Sequence, residues 1–214
     1  KLMGLTGDLE TARRAMTLLP RFQAGFSAEN GPFGLGAEVA VKKEQLSQLL
    51  EEVSAMLKCS VFGEDPHLWL TRRGGQELRS WSKTSGTGAG RFVAWLLETG
   101  RFGIAAIAPV ASGAGRSEAT SFVRRFEDPM LSSLGAPALG NRFVARLVEL
   151  ARLPEEILAV LNGETASPEP VRAGDGHGRG RVEAARGPLI HHARLEAGRV
   201  SAYDMEPPTN CNFA

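Results

Sequence analysis

The feature that most constrains the fold is a change of hydrophobic spacing along the chain. Between residues 43 and 58 apolar side chains recur every three or four positions, at Leu46, Leu49, Leu50, Val53, Met56 and Leu57. This spacing predicts an amphipathic helix that packs on a core, with Glu44, Glu51 and Glu52 facing water. Beyond residue 180 the pattern becomes typical of strands. The chain must therefore accommodate both kinds of structure.

Several shorter elements accompany the main helix. Further helices are predicted over 8–19, 91–99 and 141–153, with Gly100 ending the second and Pro154 opening a new turn after the third. Short extended runs cover 37–41 and 102–110, and the second is almost wholly apolar, as expected of a buried strand. Residues 72–90 are a polar stretch. Helices should therefore dominate the first three quarters of the chain.

The last quarter is predicted to be a β element behind a loop. Residues 165–180 contain four glycines at alternate positions and two prolines, which predicts a long mobile loop. Runs 189–195 and 199–203 look like strands, and Glu196-Ala197-Gly198 between them is typical of a hairpin. We predict an α+β fold in one domain over 1–214. It would have a helix-rich body (1–164), the loop (165–180) and a small C-terminal antiparallel hairpin or sheet (181–214).

Composition excludes some classes of function. With 25 basic and 24 acidic residues the formal net charge is only +1, without the basic excess of a nucleic-acid binder. The longest apolar run, 102–111, has about half the length of a membrane helix, and no signal peptide is visible. Cys59 and Cys211 are the only cysteines, which favours a cytosolic protein over a disulfide scaffold. The sequence lacks an initial Met and stops just after a motif, as a fragment would.

Most familiar catalytic patterns are missing. The glycines of 174–180 suggest a phosphate loop, but such a loop needs a helix N-terminus after it, whereas a strand is predicted here. His191 and His192 are adjacent, so on a strand they face opposite ways and cannot share one metal. Structural hydrogen bonds are the expected role of both. The sequence has neither a GxSxG nor an HExxH motif.

Arg186 is the most informative polar residue. It lies in Glu183-Ala184-Ala185-Arg186-Gly187, at the end of a predicted strand and before a glycine that permits a turn. Its guanidinium presents fixed donors to an anion, a carboxylate or the polar ligands of a metal. An ordinary salt bridge with Glu183 or another acid is the competing interpretation, and spacing alone favours it.

The segment 178–212 resembles the C-terminal signature of nickel–iron hydrogenase large subunits. That signature has a glycine-rich approach to Glu-Ala-Pro-Arg-Gly, a nearby His, a hairpin with a Gly turn, and Pro-Thr-Thr-Trp-Asn. The matching residues here are Glu183, Arg186, Gly187, His191, Gly198, Pro208, Thr209 and Asn212. Order and spacing both agree, which makes the resemblance fairly specific.

Departures from the family separate this chain from the enzyme. The family binds nickel and iron through two Cys-x-x-Cys pairs, and this sequence contains none. Ala185, Asn210 and Cys211 stand where the enzyme has Pro, Thr and Trp. The upstream region is more similar to hydrogenase expression/formation proteins of the HupK/HoxV type, which are non-catalytic maturation relatives. Its looser matches are Leu57-Lys58-Cys59, Leu68-Trp69-Leu70, helix 91–97, Glu118-Ala119-Thr120 with Arg124, and 141–150.

The resemblance implies a hydrogenase large-subunit-like fold and a site for a transient Fe(CN)2(CO) fragment. Arg186 would donate hydrogen bonds to the diatomic ligands, and Glu183 and His191 would orient the surrounding strands. Pro208 and Thr209 would line the pocket. Cys211, and less strongly Cys59, are the candidate metal ligands, although a free Cys is commonly just a small apolar side chain. The implied partners are other hydrogenase accessory proteins and the apo large subunit.

Three interpretations remain open from the sequence. The first is a maturation scaffold without turnover, and the second is a fragment of a catalytic large subunit that oxidises or evolves H2. The third is a degenerate relative kept for protein–protein contact alone. Two Cys-x-x-Cys pairs in the complete open reading frame would favour the second.

Overall fold

The computed structural model of the chain is helix-rich and ends in a small antiparallel sheet, which confirms the α+β class. It describes residues 16–18, 20–22, 24, 26–28, 39–106, 120–164, 176–184 and 187–209. The helices are α1 Lys43–Leu57, α2 Pro66–Leu70, α3 Gly75–Thr84, α4 Gly88–Glu98, α5 Ser121–Arg124, α6 Pro129–Ser133 and α7 Leu139–Leu161. The strands are β1 Phe26–Ala28, β2 Val39–Val41, β3 Gly176–Ala184, β4 Gly187–Glu196 and β5 Arg199–Glu206.

Backbone contacts divide the chain into two compact units. Unit 1 comprises Lys1–Phe102 and Leu147–Ala166, and unit 2 comprises Gly103–Arg146 and Ser167–Ala214. Unit 1 contains β1 and β2, which pair antiparallel, together with α1 to α4. Unit 2 contains α5, α6 and the three-stranded sheet β3–β4–β5. The expected single domain over 1–214 stays a prediction.

Helix α1 forms as its apolar spacing predicts. Leu46, Leu49 and Leu50 are buried and cluster with Leu161 near the end of α7, against which Ile157 also packs. The three glutamates predicted to face water are exposed. Burying a Leu side chain contributes about 1.5–3 kcal/mol, so this stripe accounts for the position of α1 in unit 1.

Three aromatic rings form a second part of the unit 1 core. A π-helical turn, Lys58–Phe62, follows α1 and ends at Gly63 in the left-handed conformation. Phe62 lies 5.0 Å from Trp69 between ring centroids, and Trp69 lies 5.5 Å from Trp81. The Trp81 indole donates to the Phe62 carbonyl at 2.8 Å, which ties α3 to the π-helical turn.

Two helices differ from the sequence expectation. The polar stretch 72–90 contains α3, of whose side chains only Leu78, Trp81 and Ser82 are buried, so polar residues outnumber apolar ones along it. Helix α7 runs through Pro154 without a break. Proline removes the hydrogen bond to the carbonyl four residues earlier, here that of Leu150, a residue on the exposed side of the helix where water has access.

The buried strand predicted over 102–110 is wrong in its described part. Residues Arg101–Gly103 form a 3₁₀ turn, and Ile104 is half-exposed. Ala105 has a positive φ of 54°, which is incompatible with a strand. The Ile104 carbonyl instead accepts from the amide of Leu139 at 2.9 Å. Residues 107–110 lie outside the described part.

The predicted loop 165–180 is wrong from Gly176 onward, because β3 begins there and continues to Ala184. All nine of its residues pair with β4, so the ladder satisfies the backbone where a loop was expected. The C-terminal element is therefore a three-stranded sheet rather than a hairpin alone. Residues 165–175 lie outside the described part.

The remaining expectations are confirmed only in part. Met16, Thr17 and Leu18 are helical, and the helix extends past the predicted end at residue 19. The extended run 37–41 contains β2, and 91–99 contains most of α4, which ends at Glu98 before Gly100. Residues 8–15 and 37–38 are not among those described.

Substitutions at two glycines distinguish the cost of backbone strain from the cost of a steric clash. Gly63 (φ 73°) and Gly100 (φ 69°) share a left-handed backbone, but an added Cβ would lie 2.3 Å from the Ser85 carbonyl oxygen only at Gly63. We expect Gly100→Ala to lower the free energy of unfolding by about 1 kcal/mol. Gly63→Ala should cost at least about 2 kcal/mol more, because backbone must move. Urea denaturation of both variants tests this, and equal losses would contradict the close contact.

Candidate functional site

The family-like residues lie on the sheet β3–β4–β5, in which β4 is the central strand. It pairs antiparallel with β3 from Gly176↔Leu195 to Ala184↔Gly187, and with β5 from Ile190↔Glu206 to Glu196↔Arg199. Antiparallel pairing places the end of β3, the start of β4 and the end of β5 at one end of the sheet, here called the signature end.

Gly187 gives the signature end its shape. Its φ of 125° belongs to a region that L side chains rarely adopt, and it is buried. The glycine after the predicted strand is therefore required by the backbone, as expected. The ladder closes with Ala184 opposite Gly187, and the main chain of Glu183 lies opposite Pro188. Arg186 lies outside the described residues, so its predicted position stays untested.

Pro208 and Thr209 follow β5 at the signature end. They begin a helical turn directly after Pro207, and both are partly buried. Since Glu206 pairs with Ile190, the chain leaves the sheet only three residues along β4 from Gly187. The register thus brings Glu183, Pro208 and Thr209 to the same end of one sheet.

The predicted hairpin turn lies at the opposite end. Ala197 (φ 50°) and Gly198 (φ 73°) both have positive φ, the conformation of a type I′ turn. Strand β5 then contains one extra residue, since Leu195 pairs with Val200 and Arg194 with Ala202. This bulge leaves Ser201 without an opposite residue, and its hydroxyl donates to the Arg194 carbonyl at 3.3 Å.

His191 and His192 point to opposite faces, as their adjacency predicts. His191 Nδ1 is hydrogen-bonded to the Tyr203 hydroxyl, and the two rings are in contact. His192 Nε2 lies 3.2 Å from a Glu206 carboxylate oxygen. Each imidazole therefore has a partner on a neighbouring strand, which confirms the structural hydrogen bonds expected of both.

The cysteines do not meet in the described part of the chain. Cys59 is an exposed free thiol on the π-helical turn of unit 1. Cys211 lies outside the described residues, as does Arg186, so the structure tests neither the thiol nor the guanidinium of the predicted site. Within the described ranges, no three His, Cys, Asp or Glu side chains group as a metal site would require.

The two faces of the sheet differ sharply in chemistry. One face, here called the apolar face, carries Val182, Leu189, Ala193, Leu195, Val200, Tyr203 and Met205 together with His191 and three glycines. The other face carries Arg179, Arg181, His192, Arg194, Asp204 and Glu206 together with the buried Ile190. The ion pair of Arg194 with Glu196 measures 2.8 Å, but both side chains are half-exposed, so it contributes little to stability.

This division between the faces was not predicted, because residues 165–180 were expected to form a loop. The detectable pattern is strict alternation, with Gly176, Gly178 and Gly180 separated by His177 and Arg179. Alternation of residue type at period two is typical of a strand with unlike faces. A glycine at every second position from Gly176 to Gly180 therefore leaves this part of one β3 face without side chains, and Val182 is the next residue on that face.

No family model matches the chain, and no curated protein matches it significantly.

None of the described helices combines the length and the apolar character needed to cross a bilayer.

The two histidine contacts should respond independently to substitution. Tyr203→Phe removes the hydroxyl that bonds to His191, so the imidazole shifts of His191 should change while those of His192 stay constant. Glu206→Gln should give the reverse result. Side-chain NMR of both imidazoles provides the measurement. If either substitution perturbed both rings equally, the histidines would not lie on opposite faces.

Proposed function

We propose that this protein is a non-catalytic relative of nickel–iron hydrogenase large subunits that serves as a maturation scaffold. Its cargo would be the iron part of the cofactor, an Fe(CN)2(CO) fragment, held before transfer to the apo large subunit. Partners would be other hydrogenase accessory proteins in the cytoplasm. The proposal depends on the resemblance of 178–212 to the family signature.

The observation that most supports this proposal is the placement of the signature on one sheet. Its parts follow in chain order on β3, β4, the β4–β5 turn and the segment after β5. The Arg-Gly step coincides with a glycine whose φ of 125° excludes most other residues. A chance match would have no reason to satisfy the register and the backbone together.

The proposed site combines hydrogen-bond donors for the diatomic ligands with a thiolate ligand for the iron. Arg186 directly precedes Gly187, and its guanidinium would donate hydrogen bonds to the cyanide nitrogens, which concentrate negative charge. Cys211 follows Thr209 by two residues, and its thiolate would bind the iron. Pro208 and Thr209 would form the wall between them. Cys59 is a secondary candidate because its thiol is exposed to solvent.

A scaffold and an enzyme differ in the number of protein ligands that the bound metal requires. A nickel–iron centre with four sulfur ligands needs both Cys-x-x-Cys pairs, whereas holding a preformed iron fragment needs fewer protein ligands because its diatomics already occupy coordination positions. The two cysteines in this sequence are compatible with holding the fragment and too few for the complete centre.

Infrared spectroscopy tests the proposal. Protein purified anaerobically from cells that assemble hydrogenase should show bands in the cyanide and carbonyl stretching regions. Arg186→Ala should shift or abolish the bands because the diatomics lose their donors, and Cys211→Ser should abolish them because the soft ligand is lost. Arg199→Ala is the matched control, since Arg199 is exposed and lies at the hairpin end of the sheet.

Two results would contradict the scaffold. A wild-type spectrum without these bands would favour a relative kept for protein contact alone. Bands that persist unchanged in both Arg186→Ala and Cys211→Ser would place the cargo elsewhere. H2-dependent reduction of an artificial electron acceptor by the purified protein would instead support the catalytic alternative.

A further inference from the structure

The apolar face of the sheet presents large side chains along β5, whereas on β3 it carries glycines at the facing positions and one large side chain, Val182, beyond them. On β5, Val200 and Tyr203 are each 61% exposed and Met205 is 47% exposed. On β3, the same face carries only glycines at three consecutive positions: Gly176, Gly178 and Gly180. A Cβ added at Gly176 or Gly180 would meet no atom of the described residues within 4 Å, so the described part of the chain does not fill the space above them.

The three large side chains on β5, here called knobs, and the three glycine positions on β3, here called gaps, lie at the same positions along the strand direction. Through β4, Val200 is level with Gly176, Tyr203 with Gly178, and Met205 with Gly180. Each large side chain therefore has an empty position two strands away, at roughly 10 Å. The hydrogen bond to His191 also restrains the Tyr203 ring, which lowers the entropic cost of burying it against a partner.

We propose that this face binds the same face of a second copy of the chain. A two-fold axis parallel to the strands would lay β5 of each copy over β3 of its partner, so that all three knobs enter glycine gaps. A two-fold axis perpendicular to the strands would instead lay β5 of one copy over β5 of the other, so that large side chains would oppose one another. The side-chain pattern thus favours the first arrangement. Packed sheets usually cross at about 30°, and at that angle the knobs near the centre of the interface still face the gaps.

The size of the face sets the strength of the contact. Three strands of this length cover roughly 30 Å by 14 Å, or on the order of 400 Å² per copy and 800 Å² in total. That total lies below the ~1,200 Å² of standard stable interfaces, so the dimer should be weak and reversible, with a dissociation constant above ~10 µM. This inference does not depend on the proposed function, because it is argued only from the register of the sheet and the exposure of its side chains.

Sedimentation equilibrium of the full chain, up to ~500 µM, tests the proposal. Gly180→Val should raise the dissociation constant at least about tenfold, because the new side chain fills the gap that receives Met205. The same substitution should leave the melting temperature unchanged or higher, since Val is favoured over Gly in a strand and Gly180 has no positive φ. Loss of association without loss of stability would separate docking from folding.

Two further variants identify the contact. Arg179→Val places the same side chain on the opposite face of β3 and should leave the dissociation constant unchanged. Met205→Ala should weaken the dimer alone but rescue Gly180→Val, returning the double variant to within about threefold of wild type, because the shortened knob makes room for valine.

Several outcomes would overturn the proposal. They are a wild-type chain that stays monomeric up to the highest concentration, a Gly180→Val variant that dimerises normally, and an Arg179→Val variant weakened as much as Gly180→Val. Absence of rescue in the double variant would likewise exclude the arrangement of β5 over β3.

Discussion

The C-terminal sheet depends on the backbone hydrogen bonds that β4 makes along both of its edges. Strands β3 and β5 pair with β4 and not with each other, so without β4 neither edge strand would have a partner in this sheet. Burial adds little, because Ile190 is the only large hydrophobic side chain buried on the described part of this sheet. A three-stranded sheet of this kind is near the limit of independent stability, so a second layer over the apolar face would matter.

The sequence predicts those elements in which one physical requirement dominates. Helix α1 was predictable because its leucines recur at helical spacing and are buried accordingly. The β4–β5 turn was predictable because Gly198 must take a positive φ. Helix α3 was missed because polar residues outnumber Leu78 and Trp81 along it, although these two lie at helical spacing. The break expected at Pro154 failed because hydration of an exposed carbonyl can replace one helical hydrogen bond.

The candidate site was predictable to a similar degree. Gly187 and the opposite orientations of His191 and His192 follow from local rules of backbone and strand geometry, and the structure agrees with both. The partners of those histidines, Tyr203 and Glu206, could not be predicted, because they depend on the register between β4 and β5 and on the bulge at Ser201. Local sequence does not encode the register of a strand pair unless a turn and a buried face both fix it.

The glycines of β3 show why the two proposals are compatible. The family resemblance treats the glycine-rich approach as a path to Arg186, and in this region Gly176 and Gly187 have positive φ angles, of 136° and 125°, that favour glycine. Gly178 and Gly180 have ordinary strand conformations, so backbone geometry does not explain why they lack side chains. A strand interior loses about 0.5–1 kcal/mol for each glycine relative to alanine. If a second sheet packs closely on this face, as proposed, the absence of side chains there has a physical reason.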